Sequence, residues 1–398
     1  MTKETLACVS VVLVILVAGC TDDVVEPNNT AGAGAGIAGE PDFATSIEDA
    51  VAVNVAPAPS GAPVVAWVTP QEVRSARLDT GSGQLEEARV VNGDVAPMAH
   101  PIERPAVLVR DDETVDVAFT APASGGGSVY LSRDGAAPDP ISGPPRPETN
   151  LVHMVASPGD GVVLAWLEDS TLSVARDDHG QTTEVEGVDD LTCDCCNSVP
   201  VFSGDTLVIG YRDLDEVDGA VVRNVVAVTS HDRGSTFEGP TRIADDDWFI
   251  DGCPFSGPSL AVDDDQVYAT WMDARQSIYP DQTASSIWFD RSSDGGTTFG
   301  TDVVIAEGGR FTWPSMAVDD SGVIHVVWET QGPDGGLSYS WSDDRGAGFE
   351  SPVLLVDRGD SGGSAPGSPT LAFDDGRLIL TWSDDRQGHV AIWEISGS

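Results

Sequence analysis

Lysine is almost absent from this sequence: Lys3 is the only one among 398 residues, so arginine supplies nearly all of the positive charge. Asp and Glu number 65 against 20 basic residues, which gives a formal net charge of −45. A chain this acidic repels the phosphate backbone of nucleic acids. The composition therefore argues against nucleic acid as a partner and predicts a heavily solvated acidic surface.

Long apolar runs are also scarce. The one such run, at 6–17, follows Lys3, ends at Ala18-Gly19-Cys20 and is too short for a comfortable membrane span. This layout is that of an export signal, and it resembles a bacterial lipobox. The resemblance implies that Cys20 is lipidated and anchors the exported protein to a membrane; an ordinary secretory signal is the alternative. We predict a lipoprotein signal peptide at 1–19 and a flexible tether at 20–41, whose Ala-Gly-rich sequence has little apolar bulk to pack.

No stretch has a convincing helical period, whereas short apolar strands recur along the chain. Seven of these strands end in an aromatic residue. The seven aromatics are Trp67, Phe119, Trp166, Tyr211, Trp271, Trp328 and Trp382. They are spaced roughly 45 to 60 residues apart, the length of one four-stranded propeller blade with its loops. The sequence therefore predicts an all-β fold, a seven-bladed β-propeller over 42–398.

A second repeat has the pattern Ser-x-Asp-x-Gly-x-Thr-aromatic. It occurs at 230–237 and 292–299 and, with Gly in place of Thr, at 342–349. In a hairpin turn the Asp accepts backbone N–H bonds and the Gly supplies a positive φ. The octet resembles the Asp-box, or BNR repeat, of sialidases and related exported bacterial propeller proteins. We predict structural roles for Asp232, Asp294 and Asp344, since one carboxylate per loop does not provide the roughly six to eight oxygens that calcium takes.

The ring must also be closed. The last repeat unit ends after its third strand, at 389–393, and an uncovered sheet edge exposes unpaired backbone groups. The segment 43–47 resembles the fourth strands of other units, so we predict that it completes the last blade. The sialidases that the octets resemble have six blades, which makes six the alternative to the seven counted.

Antiparallel blades bring the start of each first strand and the end of each second strand to one end of the ring, called here the near face. Polar and aromatic residues at these positions are predicted to bind a ligand in the central funnel. The predicted ligand-binding residues are Arg212, Asp213, Asp273, Arg275, Arg310 and Trp313. His100, Arg104 and His153 also stand at the starts of first strands. For any one of these groups the alternative is a solvated ion pair.

Four cysteines fall at the openings of the first strands of blades four and five and are predicted to meet. They are Cys193, Cys195, Cys196 and Cys253. In an exported protein such a set predicts disulfides, with Cys253 bonded to one of the other three; a Cys195–Cys196 bridge beside Cys193–Cys253 is one of three pairings. Metal binding by thiolates is the alternative. We predict no metal and no cofactor.

The motif Cys-Asp-Cys-Cys, followed by Gly-Cys-Pro at 252–254, resembles a group of exported bacterial sialidase-like proteins, over roughly 190–275. A sialidase needs three arginines on the substrate carboxylate, a tyrosine nucleophile with a glutamate behind it and an aspartic acid. Arg212, Arg275 and Arg310 are candidates for the arginine triad and Asp273 for the acid. Tyr211 has no obvious glutamate partner, however, and the Phe-Arg-Ile-Pro sequence of sialidases is absent.

We therefore predict an exported, monomeric, membrane-anchored propeller, at the cell surface or in the periplasm, that binds a carbohydrate or an anionic ligand on its funnel face. An exo-sialidase-type glycoside hydrolase is the first alternative, and a protein-interaction scaffold or a thiolate metal site is the second.

Overall fold

The computed structural model describes residues 36–37, 39–59, 61–159, 161–193, 195–217, 219–244, 246–250, 252–276, 284–332, 335–357, 367–384 and 387–395. The predicted signal peptide, with Cys20, lies outside the described residues. All the regular elements in the described part are β-strands. No helix there is long and apolar enough to cross a membrane.

Seven antiparallel sheets are the blades of a seven-bladed propeller, and an additional two-stranded hairpin, Asp215–Val217 with Ala220–Val222, lies between the second and third strands of blade 4. Each blade has four strands in order from the channel outward, and the outer strand of blade 1 is split in two. Blades 1 to 3 consist of Ala52–Ala56, Val64–Val68, Val73–Asp79, Gln84–Leu85 and Arg89–Val90; of Ala106–Val109, Val115–Ala123, Gly126–Arg133 and Asp139–Pro140; and of Asn150–Ser157, Gly161–Glu168, Thr171–Asp178 and Gln181–Asp189. Blades 4 and 5 consist of Val199–Ser203, Thr206–Arg212, Val225–Ser230 and Glu238–Arg242, and of Ser259–Asp263, Gln266–Asp273, Ser285–Ser292 and Val303–Gly309. Blades 6 and 7 consist of Phe311–Val318, Ile324–Thr330, Gly336–Ser342 and Val353–Asp357, and of Gly367–Asp374, Arg377–Asp384, Gln387–Glu394 and Phe43–Glu48.

The first strands of neighbouring blades contact one another around a closed ring, so these strands surround the central channel. The seven aromatics counted in the sequence lie one in each second strand and are between 0% and 8% exposed. They pack in clusters between adjacent blades, where burial of such large rings supplies much of the hydrophobic stabilisation. The seven-blade count is confirmed and the six-bladed alternative is excluded.

The N-terminal strand closes the ring as predicted. Phe43–Glu48 pairs antiparallel with Gln387–Glu394, with Phe43 opposite Ile392 and Glu48 opposite Gln387. Ile47 is only 8% exposed and packs in the core between blades 7 and 1. This strand covers the edge that blade 7 would otherwise leave open.

Packing begins earlier than the predicted boundary at residue 42. Ile37 is 5% exposed and lies in a cluster with Val327, Tyr339 and Trp393 of blades 6 and 7. The indole of Trp393 also donates a hydrogen bond of 3.2 Å to the Gly39 carbonyl. The end of the predicted tether is therefore part of the packed domain, because one isolated isoleucine fills a gap between two blades.

The three octets form the turns between third and fourth strands of blades 4, 5 and 6, at the end opposite the near face. In each octet the serine hydroxyl donates to the Asp carboxylate at 2.7–2.8 Å and accepts the glycine N–H at 2.7–2.9 Å. The carboxylate also accepts the N–H four residues after it, for example Thr298 N–H at 2.8 Å. Gly296 has φ +88°, and a Cβ there would lie 2.7 Å from Val208. These contacts give the three turns the same local geometry.

Candidate functional site

Arg212 ends the second strand of blade 4, but it lies inside the protein and not in the funnel. Its side chain is 0% exposed. The guanidinium donates to three backbone carbonyls, those of Ser256 at 3.2 Å, Arg223 at 2.9 Å and Met272 at 2.8 Å. It also stacks 5.1 Å from the centre of the Trp248 ring. Arg212 therefore holds the connections of blades 4 and 5 together, and a ligand entering from solvent does not reach it.

Asp273 and Arg275 form an ion pair at the end of the second strand of blade 5. Asp273 is 0% exposed, and its two oxygens accept the indole N–H groups of Trp271 and Trp288, both at 3.0 Å. Arg275 lies 4.3 Å above the centre of the Trp288 ring and also pairs with Asp302. A carboxyl group that is buried and already bound to an arginine and two indole N–H groups does not fit the role of a general acid that reaches a ligand.

Asp213 is half-buried beside Asp189 and the buried Tyr211. Burial, with the negative charge of Asp189, raises the pKa of Asp213 to about 7. The Tyr211 hydroxyl donates to Asp189 Oδ2 at 2.5 Å, and burial raises its pKa far above the ordinary value. Tyr211 thus has an acidic partner, Asp189, on the neighbouring blade, which the local sequence gives no means of finding. Since its ring is 0% exposed, this tyrosine is a core residue and not an accessible nucleophile.

Arg310 and Trp313 open the first strand of blade 6. Arg310 is exposed, whereas Trp313 is 9% exposed and has φ +51°. The Trp313 N–H donates to Ser256 Oγ of blade 5 at 3.2 Å. The near face therefore brings the predicted residues to one end of the ring but exposes few of them. An arginine triad of Arg212, Arg275 and Arg310 does not converge on one open pocket, so the structure does not favour the hydrolase alternative.

The four cysteines do meet. Cys195 and Cys253 are joined by a disulfide, with their Cα atoms 6.4 Å apart, while Cys193 and Cys196 are buried thiols. Cys196 Sγ lies 3.3 Å from Cys193 Sγ, and Cys193 Sγ lies 3.6 Å from Cys195 Sγ. The hydrogen bond from Cys196, with the charges of Arg212 and Arg223, lowers the pKa of the Cys193 thiol, whereas burial raises that of Cys196. The vicinal Cys195–Cys196 bridge considered from the sequence is not present.

Arg104 lies at the near-face mouth of the channel, just before the first strand of blade 2. Its Nη1 donates to the Ser368 and Pro369 carbonyls of blade 7, at 3.2 and 3.1 Å. Among the described residues no carboxylate forms an ion pair with Arg104, and loss of hydration lowers its pKa to about 10. Arg104 is therefore a half-buried, partly desolvated cation that no carboxylate among the described residues neutralises.

His153, on the first strand of blade 3, lies within the electrostatic reach of Arg104. Burial, followed by the charge of Arg104, lowers the pKa of His153 to about 4, so the imidazole is neutral at pH 7. Its Nδ1 lies 3.0 Å from the Leu151 carbonyl. Because a carbonyl only accepts, Nδ1 carries the proton, and Nε2 has a lone pair for a hydroxyl donor. The mouth of the channel therefore combines a cationic donor with a neutral acceptor.

The backbone at this mouth is strained. The first strands of blades 3, 6 and 7 each begin with a register shift, and Leu151, Trp313 and Ser368 there have φ values of +52°, +51° and +34°. Non-glycine residues in this region cost about 1 to 3 kcal/mol each and cluster at binding sites more than elsewhere. We take the near-face mouth around Arg104 and His153 as the candidate functional site.

No protein-family model matches this sequence, and no curated protein matches it. Among solved structures, the BP39L lectin from Burkholderia pseudomallei aligns with a TM-score of 0.59 at 12% identity, over 88% of this chain and 97% of the lectin. A PL25 polysaccharide lyase, an ulvan lyase bound to -[GlcA(1-4)Rha3S]-, aligns with a TM-score of 0.53 at 11% identity, over 85% of this chain and 90% of the lyase. The NanB sialidase from Streptococcus pneumoniae aligns with a TM-score of 0.48 at 9% identity, over 86% of this chain and 68% of the sialidase. At this identity the likeness to the lectin and the lyase shows a shared fold.

Proposed function

We propose that this protein is an exported, lipid-anchored propeller that binds an acidic carbohydrate at the near-face mouth of its channel, without cleaving it. Cys20 at the end of the lipobox-like segment is the proposed anchor, and it holds the domain at a membrane surface. Arg104 is the proposed anion-binding residue and His153 the proposed hydroxyl-binding residue.

The observation that carries this proposal is the uncompensated charge of Arg104. Desolvation lowers its pKa, and no carboxylate among the described residues offsets that cost. A carboxylate or sulfate group of a ligand would neutralise the guanidinium and accept its N–H donors, as bidentate arginine pairs do. A neutral ligand would remove more water from the guanidinium without supplying a counter-charge, which is unfavourable.

The neighbouring groups favour a sugar over a simple anion. His153 Nε2 is an acceptor for a hydroxyl group, and hydroxyls beside an acidic group are what a uronate or a sulfated sugar presents. Two of the similar structures are described as a lectin and as a lyase bound to a saccharide with glucuronate and sulfated rhamnose. Those descriptions belong to the two proteins, and they support the carbohydrate class for this one only through the shared fold.

The test is a comparison of oligosaccharides of equal length by isothermal titration calorimetry. Oligosaccharides with uronate or sulfate groups should bind at least about tenfold more tightly than neutral ones, since a charge-assisted hydrogen bond contributes about 1.5 to 3 kcal/mol. Arg104→Gln should remove this preference while the thermal unfolding midpoint stays within a few degrees of wild type.

Arg89→Gln is the matched control, because Arg89 lies on the outer strand of blade 1 with a side chain 73% exposed. Its variant should bind like wild type. Wild-type affinity for acidic sugars in folded Arg104→Gln would remove Arg104 from the site, and an absence of binding to any acidic sugar would refute the proposed function.

A further inference from the structure

The cysteine cluster at the junction of blades 4 and 5 is separate from the proposed sugar site, and the sugar site makes no use of it. We propose that, once its disulfide is reduced, this cluster is a four-thiolate site for a thiophilic metal ion, Zn²⁺ or Cu⁺. The sulfurs of Cys193, Cys195, Cys196 and Cys253 all lie within 4.8 Å of one another.

This mutual closeness is the geometric argument. A pair of disulfides requires each sulfur to approach one partner, whereas a tetrahedral metal site requires each sulfur to approach the other three. With metal–sulfur bonds of about 2.3 Å, the sulfurs of a tetrahedral site lie about 3.8 Å apart. The Cys193–Cys195 and Cys193–Cys196 sulfur separations are 3.6 and 3.3 Å, within about half an ångström of that spacing. The sulfurs of Cys195 and Cys253 are joined in the disulfide, so after reduction they must move apart by about 1.8 Å to admit the ion.

The loops that carry the sulfurs are held rigidly together. Cys193 N–H donates to the Arg212 carbonyl and Cys196 N–H to the Cys193 carbonyl, both at 2.9 Å. Asn197 clamps this loop to the one that carries Cys253: its amide donates to the Pro258 carbonyl at 2.7 Å and accepts Gly257 N–H at 2.9 Å. A metal site needs ligands positioned in this way before the ion arrives.

The surroundings suit an anionic centre. Four thiolates around a divalent ion carry two net negative charges, and Arg212 and Arg223 are the cations whose charges act on Cys193. Thr192 Oγ1 and Ser198 Oγ, at either end of the cysteine loop, are buried and have no hydrogen-bond partner among the described residues. Hydroxyl donors of this kind commonly stabilise metal-bound sulfur from outside the ligand set.

Metal binding requires a change of oxidation state. The Cys195–Cys253 bond must accept two electrons and two protons from a dithiol reductant, which becomes a disulfide. The metal ion then displaces four protons from the four thiols as the metal–sulfur bonds form. Soft thiolate sets of this composition select Zn²⁺ or Cu⁺ over hard cations such as Mg²⁺ or Ca²⁺.

The first experiment uses the full-length wild-type chain, reduced with dithiothreitol under argon, freed of reductant and dialysed against Zn²⁺ or, separately, Cu⁺. About one ion per chain should remain after dialysis, and it should protect four thiols from alkylation. Replacement by Co²⁺ should give the intense visible absorption of tetrahedral cobalt thiolates. The proposal would be overturned if all four thiols were alkylated rapidly in the presence of Zn²⁺ and also in the presence of Cu⁺. This outcome can be read from the wild-type protein alone.

Two variants complete the test. Cys196→Ser should retain the Cys195–Cys253 disulfide when oxidised and fold, yet lose at least about tenfold in metal affinity when reduced. Cys20→Ser, which removes a cysteine outside the cluster, should bind metal like wild type. Equal metal retention by Cys196→Ser and wild type would show that the ion binds outside the cluster. Tighter retention of Zn²⁺ or of Cu⁺ by the wild-type protein would identify the ion that the site prefers.

Discussion

Asp246 shows how burial controls a single ionisable group. It lies with one oxygen 3.9 Å from Arg212 Nη1, and neither of its oxygens accepts a hydrogen bond from a described residue. Burial raises its pKa from 3.8 to about 7, against the attraction of Arg212. Between those two pH values the folded state keeps a proton that the unfolded state releases. The stability that Asp246 contributes is therefore full below about pH 4 and is lost as the pH rises to about 7.

Asp246→Asn should consequently gain stability relative to wild type as the pH rises. Each pKa unit is worth about 1.4 kcal/mol, so we expect the free energy of unfolding of the variant to exceed that of wild type by about 2 to 4 kcal/mol more at pH 8 than at pH 4. Urea unfolding at several pH values measures this. Asp205→Asn, with a side chain 79% exposed, removes the same charge at the surface and should give a small difference that changes little with pH. A pH-independent difference for Asp246→Asn would contradict the raised pKa.

At the scale of elements, the N-terminal strand is the part on which ring closure depends. Without Phe43–Glu48 the backbone of Gln387–Glu394 loses its partner along six register positions. The side chain of Ile47 also leaves the core between blades 7 and 1. Both losses fall on blade 7 and its contact with blade 1. Because every blade packs against its two neighbours, we expect the stability of the whole propeller to fall.

Deletion of residues 43–49 should therefore lower the midpoint of thermal unfolding by on the order of 10 °C, since the combined loss amounts to several kcal/mol. Differential scanning calorimetry gives this midpoint directly. A deletion of equal length at 24–30, within the tether predicted from the sequence, serves as the control and should leave the midpoint unchanged. If the 43–49 deletion variant unfolded at the same temperature as the wild-type protein, some other segment would have to close blade 7.

For the molecule as a whole, the dominant electrostatic fact is the net charge of −45. Like charges on a compact surface repel one another and destabilise the folded state. Salt screens this repulsion, because the Debye length falls from about 10 Å at 0.1 M to about 3 Å at 1 M. The thermal unfolding midpoint should rise by several degrees over that range of NaCl. Near pH 4, where about half of the exposed carboxyls are protonated, the rise in the midpoint should be much smaller. A midpoint that does not change with NaCl at pH 7 would show that repulsion between the acidic groups contributes little to stability.

The sequence by itself determined the number of blades and the way the ring closes. Both follow from local patterns that repeat: an aromatic residue such as Trp271 ends each second strand because every blade must fill the same gap against its neighbour, and the octet around Asp294 makes its turn with contacts among eight residues. A final unit without a fourth strand needs one from elsewhere, and the segment at 43–47 has the pattern to supply it. The meeting of the four cysteines also followed from the topology.

The tertiary structure alone decided which polar groups of the near face meet solvent. Arg212 and Arg104 occupy similar positions at strand ends, yet Arg212 is fully buried among the carbonyls of Ser256, Arg223 and Met272. Arg104 is only half-buried. The difference arises from the packing of blades 4 and 5 against each other, in which Trp248 and the cysteine loops cover Arg212. Burial is set by atoms that are distant in sequence, and the pKa of a group follows its burial. For that reason the near face could be predicted from the sequence, whereas the residues exposed on it could be identified only from the tertiary structure.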